Sequence, residues 1–291
     1  MTSLSIIGVG RIGGEIAFLS SYLGIIDELI LYDNQKPLLD AQVKDLKNGI
    51  VDIKITTDTT AIRDSDICIF TAGIARNPSI KTRTDLLEAN VLVADTCSQF
   101  LSRFEGILIT VVNPVDVMNY YMAKKNELDP KRCIGFGGQL DTARFALELN
   151  ERELNSECWV LGEHGDHQVP IFSNLNEDVP IPIRENILEK LRLTSMDIIK
   201  GKGGTVFGPV SYIIDLICLI VNDAVTIVPC SGILNGEYGI DNCSIGVPLK
   251  VGWDGILAIE EWHLDEWEKK KFDESAKFLQ KLCKNAIIKL G

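Results

Sequence analysis

Histidine and positive charge are both scarce in this chain of 291 residues. There are three histidines, His164, His167 and His263, and 29 Lys and Arg stand against 41 Asp and Glu, a formal net charge of −12. No net positive field recruits phosphate backbones or anionic lipid, so neither nucleic acid nor membrane is an expected partner. A small anionic ligand remains compatible, provided a local cluster of arginines receives it. No two of the eight cysteines form C-x-x-C, which removes the zinc-ribbon and thioredoxin spacings. Most lie in apolar runs, as Cys68 does, and read as small buried hydrophobes in a reducing compartment. A basic leader pattern and a membrane-length apolar run are also lacking. The longest such run, 212–221, contains Asp215 and suits a core helix better than a bilayer span. Together these absences predict a cytoplasmic protein with no metal centre.

What is present is ordinary globular usage, 46% hydrophobic and 24% charged, in a chain long enough for one large domain or two modest ones. The first half alternates apolar strands with helically spaced segments. Strands are predicted over 3–9, 28–32, 50–56, 67–72, 106–112 and 133–136, and helices over 11–23, 37–48, 85–103 and 115–125. Fully apolar strands between helices predict a parallel sheet covered on both faces. The second half is less regular. It suggests helices over 140–153, 184–200, 208–221 and 265–290 and strands over 158–161 and 224–234. The fold class is therefore α/β: a Rossmann-type doubly wound sheet, 1–140, binding a dinucleotide, followed by a C-terminal α+β substrate domain, 141–291.

Gly8-Val9-Gly10-Arg11-Ile12-Gly13 is a G-x-G-x-x-G turn between the first strand and first helix. Its glycines permit a tight turn and close approach of a pyrophosphate, and the helix N-terminus offers amide N–H groups and a positive dipole. Asp33 ends the second strand 20 residues after Gly13. A carboxylate there accepts from ribose hydroxyls and repels a 2′-phosphate. NAD is the expected cofactor, with NADP, for which Lys36 stands close in sequence, as the weaker alternative.

His164 lies in Leu161-Gly162-Glu163-His164-Gly165-Asp166, a polar turn after an apolar strand. Imidazole suits proton transfer near neutrality. Asp141 and Arg144 are three residues apart at a helix start and so share a face. One could orient the imidazole while the other forks onto a carboxylate. The segment 71–87 places Arg76, Lys81 and Arg83 among Gly, Pro and Ser, a composition suited to a loop that brings cations onto an anionic substrate.

With these motifs in this order, the chain resembles the lactate/malate dehydrogenase family, closest to its lactate-dehydrogenase-like malate dehydrogenases. The likeness also takes in Thr71-Ala72-Gly73, Val112-Asn113-Pro114-Val115-Asp116 and Lys202-Gly203-Gly204-Thr205. It implies NAD-dependent hydride transfer between a 2-hydroxy acid and its 2-oxo acid, malate/oxaloacetate above all, and a place in the tricarboxylic acid cycle. It implies that His164 exchanges the hydroxyl proton, Asp141 orients His164, Arg144 grips the C1 carboxylate and Arg83 polarises the carbonyl. Asn113 and Thr205 then line the substrate pocket. Thr71, Ala72, Gly73, Asn90, Val112 and Asn113 join Gly8, Gly10, Arg11, Ile12, Gly13 and Asp33 as cofactor-binding candidates. The resemblance further implies a homotetramer, or else a homodimer.

One departure bears on substrate choice. In the family an arginine six residues before the carbonyl-polarising arginine goes with malate, and a glutamine there with lactate. Here Arg76 is seven before Arg83, and the sixth position holds Asn77. Aligned from the left, Arg76 meets the distal carboxylate and Lys81 is inserted. Aligned from the right, Asn77 stands there. One residue of extended chain is worth about 3.3–3.6 Å of reach. The expectation is a malate dehydrogenase with secondary lactate/pyruvate activity. The alternatives are a lactate dehydrogenase and, from another class, an NAD-dependent glycoside hydrolase.

Overall fold

A computed structural model describes residues 1–50, 52–74, 83–154 and 157–288, with the backbone alone at 83–85, 195 and 196. The chain begins with β1 (Ser3–Ile7), α1 (Arg11–Tyr22), β2 (Glu28–Tyr32), α2 (Lys36–Gly49), β3 (Lys54–Thr56), β4 (Ile67–Phe70), α3 (Arg83–Ser98), β5 (Ile107–Thr110), α4 (Val115–Lys125) and β6 (Cys133–Gly135). These strands lie in the order β3-β2-β1-β4-β5-β6 and every pairing among them is parallel. This is the doubly wound arrangement, in which ligands meet the carboxyl ends of the strands near the point where the order reverses, beside β1. β4 and β5 are buried throughout, which is why their sequences, apart from Thr110 at the end of β5, are apolar rather than alternating.

The chain continues through α5 (Gly138–Asn150), β7 (Trp159–Gly162), β8 (Gln168–Ile171), α6 (Ile181–Lys202), α7 (Phe207–Val221), β9 (Thr226–Asn235), β10 (Asp241–Gly252), β11 (Gly255–Ile259) and α8 (Glu266–Ile288). Their strands pair antiparallel, and the sheet is continuous with the first half where Gly135 of β6 pairs with Ser231 of β9. At α7 the sequence expectation is met. Ile213, Ile214, Leu216, Ile217 and Ile220 are buried, while Asp215 faces out. Among the described residues no single helix is long and apolar enough to cross a membrane.

Three strands lie outside the sequence expectation: β8, β10 and β11. β10 is the instructive one, because Pro248 interrupts its pattern. Pro248 pairs with Pro229 of β9, so the two missing N–H donors fall on one rung and the ladder resumes on both sides. Several predicted segments run shorter: the strands over 3–9, 67–72 and 106–112 end at Ile7, Phe70 and Thr110, the described part of 50–56 is strand only at Lys54–Thr56, and the helix over 85–103 gives way after Ser98 to a 3-10 turn over Gln99–Leu101. All eight cysteines are free thiols, seven of them buried.

Candidate active site

The first half of the site is built where β1 meets α1. Gly8 has φ +99°, and a Cβ there would stand 2.5 Å from the Ala72 backbone N. A Cβ on Gly13 would stand 1.9 Å from the Gly8 carbonyl oxygen, so α1 enters the sheet only if that residue is bare. Gly10 is different. Its φ is −70°, which any residue adopts, and a Cβ there would meet no protein atom within 4 Å. Protein packing therefore does not require glycine at position 10, and the space beside it is open. No side chain caps the first turn of α1, so its amide N–H groups remain available to an anion.

Neighbouring strand ends hold this turn. Thr71 N and Ala72 N donate to the Ile7 carbonyl at 2.9 and 2.8 Å, and the Thr71 hydroxyl donates to the Gly8 carbonyl at 2.6 Å. Asp33 is half-buried beside it: Oδ2 accepts from Val9 N at 3.0 Å and Oδ1 from Gln35 N at 2.9 Å. The acid after β2 is thus fixed by the glycine turn itself. Arg11 reaches the other way, donating to the Lys202 carbonyl at 3.2 Å, just before the half-buried Thr205. Asn90 is fully buried. Its Oδ1 accepts from Ile74 N at 2.6 Å, and its Nδ2 donates to the Asn113 carbonyl at 2.7 Å. Its carboxamide joins the loop after β4 to the end of β5. Val112 is buried against Gly73, whereas Asn113 is exposed.

The second half of the site forms around α5. Asp141 lies in its first turn, 3% exposed. Its Oδ2 is 2.6 Å from His164 Nδ1 and its Oδ1 accepts from Arg144 Nη1 at 3.3 Å. The trio expected from sequence is therefore in contact. His164 follows β7 through Gly162, whose φ is +83°. Burial of the imidazole lowers its pKa, but the Asp141 charge and hydrogen bond and the Asp116 charge outweigh this, with Arg144 opposing them. The net direction is upward from the usual value.

Sequence reasoning passed over three residues here. A Cβ on Gly137 would lie 2.6 Å from His164 Cγ, so that glycine makes room for the ring. Asp116 accepts from the His164 backbone N at 2.9 Å and from the Ser231 hydroxyl. The Gly137-Gly138 pair at the start of α5 is a visible signal. Asp116 ends the Val112–Asp116 motif, whose pattern assigns it no partner, and no local pattern marks Ser231. Because Asp116 lies three residues after Asn113, the N-terminus of α4 links the dinucleotide strand ends to the His164 turn.

Of the other histidines, His167 pairs with Glu163 at 2.8 Å and stacks on Phe278, centroids 4.2 Å apart, while His263 is exposed. Among the described residues no group of three His, Cys, Asp or Glu could hold a metal. Arg83 opens α3, but its side chain, together with Arg76, Asn77 and Lys81, lies outside what is described.

A bare glycine turn with a fixed acid, linked through the start of α4 to a carboxylate–imidazole–guanidinium set, defines a dinucleotide-linked oxidoreductase acting on small acids. Comparison with known proteins gives the family. Residues 2–135 match the lactate/malate dehydrogenase NAD binding domain, and residues 138–289 match the alpha/beta C-terminal domain of the same family. The chain belongs to the lactate/malate dehydrogenase family. It is 35% identical to a malate dehydrogenase of Natronomonas pharaonis over 96% of this chain and 97% of that one. Among solved structures, a lactate dehydrogenase from a Medee basin deep-sea metagenome library superposes with TM-score 0.89 at 29% identity, covering 98% of each chain. The malate dehydrogenase of Archaeoglobus fulgidus in complex with NADH superposes with TM-score 0.88 at 31% identity, covering 98% of this chain and 99% of that one.

Proposed function

We propose that this dehydrogenase interconverts malate and oxaloacetate with NAD, and turns over lactate/pyruvate as a secondary pair. The observation that carries the chemistry is the 2.6 Å contact between His164 and Asp141, with Arg144 on the same helix face. Bound NAD supplies the hydride acceptor, and NADH the donor. His164 takes the hydroxyl proton during oxidation and returns it to the carbonyl oxygen during reduction. Asp141 holds one tautomer and stabilises the imidazolium. Arg144 presents a planar fork to the C1 carboxylate. Since Asp141 and Arg144 share α5, one rigid element aligns proton relay and carboxylate grip.

Arg83 polarises the reacting carbonyl. Asn113 contacts substrate and nicotinamide, and Thr205 lines the pocket. Gly8, Gly10, Arg11, Ile12 and Gly13 form the pyrophosphate turn; Thr71, Ala72, Gly73 and Val112 line the cleft beside it. Asn90 acts indirectly, through the backbone of Ile74 and Asn113. Asp33 favours NAD and disfavours NADP by repelling a 2′-phosphate. The division into a cofactor part, 1–140, and a substrate part, 141–291, is supported by the change from parallel to antiparallel pairing after β6. A cytoplasmic homotetramer, with the homodimer as its alternative, and a place in the tricarboxylic acid cycle complete the reading.

Malate is placed ahead of lactate because the Natronomonas relative is a malate dehydrogenase and because Arg76 carries the charge a second carboxylate needs. Steady-state kinetics with NADH test it. A higher kcat/KM for oxaloacetate than for pyruvate is expected. The reverse order would make the chain a lactate dehydrogenase, and no turnover of either acid would reject the reading.

A further inference from the structure

We propose that Asp116 is a positioning residue for the reaction: it anchors the His164 backbone and supplies a second negative charge to the imidazolium. This rests on the reading of His164 as the proton relay. Asp116 is 1% exposed, in the first turn of α4. Both of its oxygens accept, Oδ2 from His164 N and Oδ1 from the Ser231 hydroxyl of β9. The carboxylate therefore pins the catalytic turn to the sheet at the seam between the two halves.

A plain packing role would not call for a charge. Removing a carboxylate from water is costly, and an apolar side chain of similar size fills such space more cheaply. A helix N-terminus does favour an acid, but these oxygens bond to other elements rather than to α4. The titratable groups facing Asp116 are His164, Asp141 of α5, Cys243 of β10 and Cys283 of α8. Burial pushes the Cys243 thiol up to about 12 and Cys283 well above its usual value, so both stay neutral. His164 is thus the one group among them that becomes a cation. Its ring responds to burial, which lowers the pKa, to Asp141 and Asp116, which raise it, and to Arg144, which lowers it. Burial and the Asp141 charge raise the Asp116 carboxyl, while the Ser231 hydrogen bond and the His164 charge and amide draw it down, and the net direction is upward; the anion is therefore favoured most when His164 beside it is protonated.

Asp116→Asn separates charge from anchoring, because the carboxamide oxygen still accepts from His164 N and the amide can donate to the Ser231 oxygen. Oxo-acid reduction needs protonated His164, so its rate falls as pH rises through the histidine's pKa. In Asp116→Asn this alkaline limb of kcat/KM moves down by about half a pH unit or more, with NADH affinity unchanged. In Asp116→Ala the His164 amide also loses its partner, and kcat drops by roughly tenfold or more at every pH. The Asn variant restores most of that loss below the limb. An unmoved limb in Asp116→Asn overturns the proposal. So does an Asp116→Asn protein that no longer binds NADH, since the charge would then serve folding. His164→Asn is assayed in parallel. If it keeps normal oxo-acid reduction, the proton-relay reading itself fails; if it is inactive while Asp116→Asn has the normal profile, only the Asp116 proposal fails.

Discussion

His164 Nδ1 lies 2.6 Å from Asp141 Oδ2, which leaves Nε2 as the ring nitrogen that can meet a reacting oxygen. Asp141→Asn keeps the shape, but it no longer stabilises the imidazolium and permits the wrong tautomer. We expect kcat for oxaloacetate reduction to fall by about 10²-fold or more, and His164→Asn to lose ~10²–10⁴-fold, the usual worth of a general acid–base group. NADH affinity, followed by fluorescence titration, should change little in either variant.

The two directions of the reaction should depend oppositely on pH. The His164 pKa is raised from its usual 6.5, so the group stays protonated to higher pH. Reduction of the oxo acid should decline as pH rises through the raised pKa. Oxidation of the hydroxy acid, which needs neutral imidazole, should increase across the same window. Parallel pH profiles of kcat/KM check this, and the two limbs should cross above pH 6.5.

Two glycines of the fingerprint should fail in different ways. Gly13→Ala forces a Cβ to 1.9 Å from the Gly8 carbonyl oxygen. The protein should lose thermal stability, since backbone must shift to relieve the overlap. Gly10→Ala meets nothing within 4 Å, so its melting temperature should stay near that of the parent chain while NADH binding weakens by about tenfold or more. Thermal melts and cofactor titrations on both variants separate the outcomes.

Arg76→Gln tests the distal-group assignment. A buried carboxylate left without its guanidinium is penalised heavily. kcat/KM for oxaloacetate should therefore fall by about 10²-fold, while that for pyruvate stays the same or rises. Equal losses on both acids would transfer the role to Asn77 or Lys81.

Much of this site was legible because its parts sit at strand ends, where local sequence carries the signal. The run Gly8–Gly13 and Asp33 mark the two ends of β1–α1–β2, and Asp141 and Arg144 are one helical turn apart. What local sequence does not carry is contact between distant segments. Asp116 and Ser231 are 115 residues apart, and nothing around Ser231 distinguishes it from any small polar residue in a strand. Asn90 was legible as belonging to the cleft, but not as a brace between two loops. β10 was not legible although β9, which carries Pro229 on the same rung as Pro248, was.

The pairing of Gly135 with Ser231 makes the β-ladder run unbroken from the nucleotide-side edge to the far strands. The two halves thus meet at a rung of the sheet itself, beside Ser231 and its bond to Asp116. Selectivity among acids can then drift through the connecting loops while the central frame and its proton relay stay unaltered.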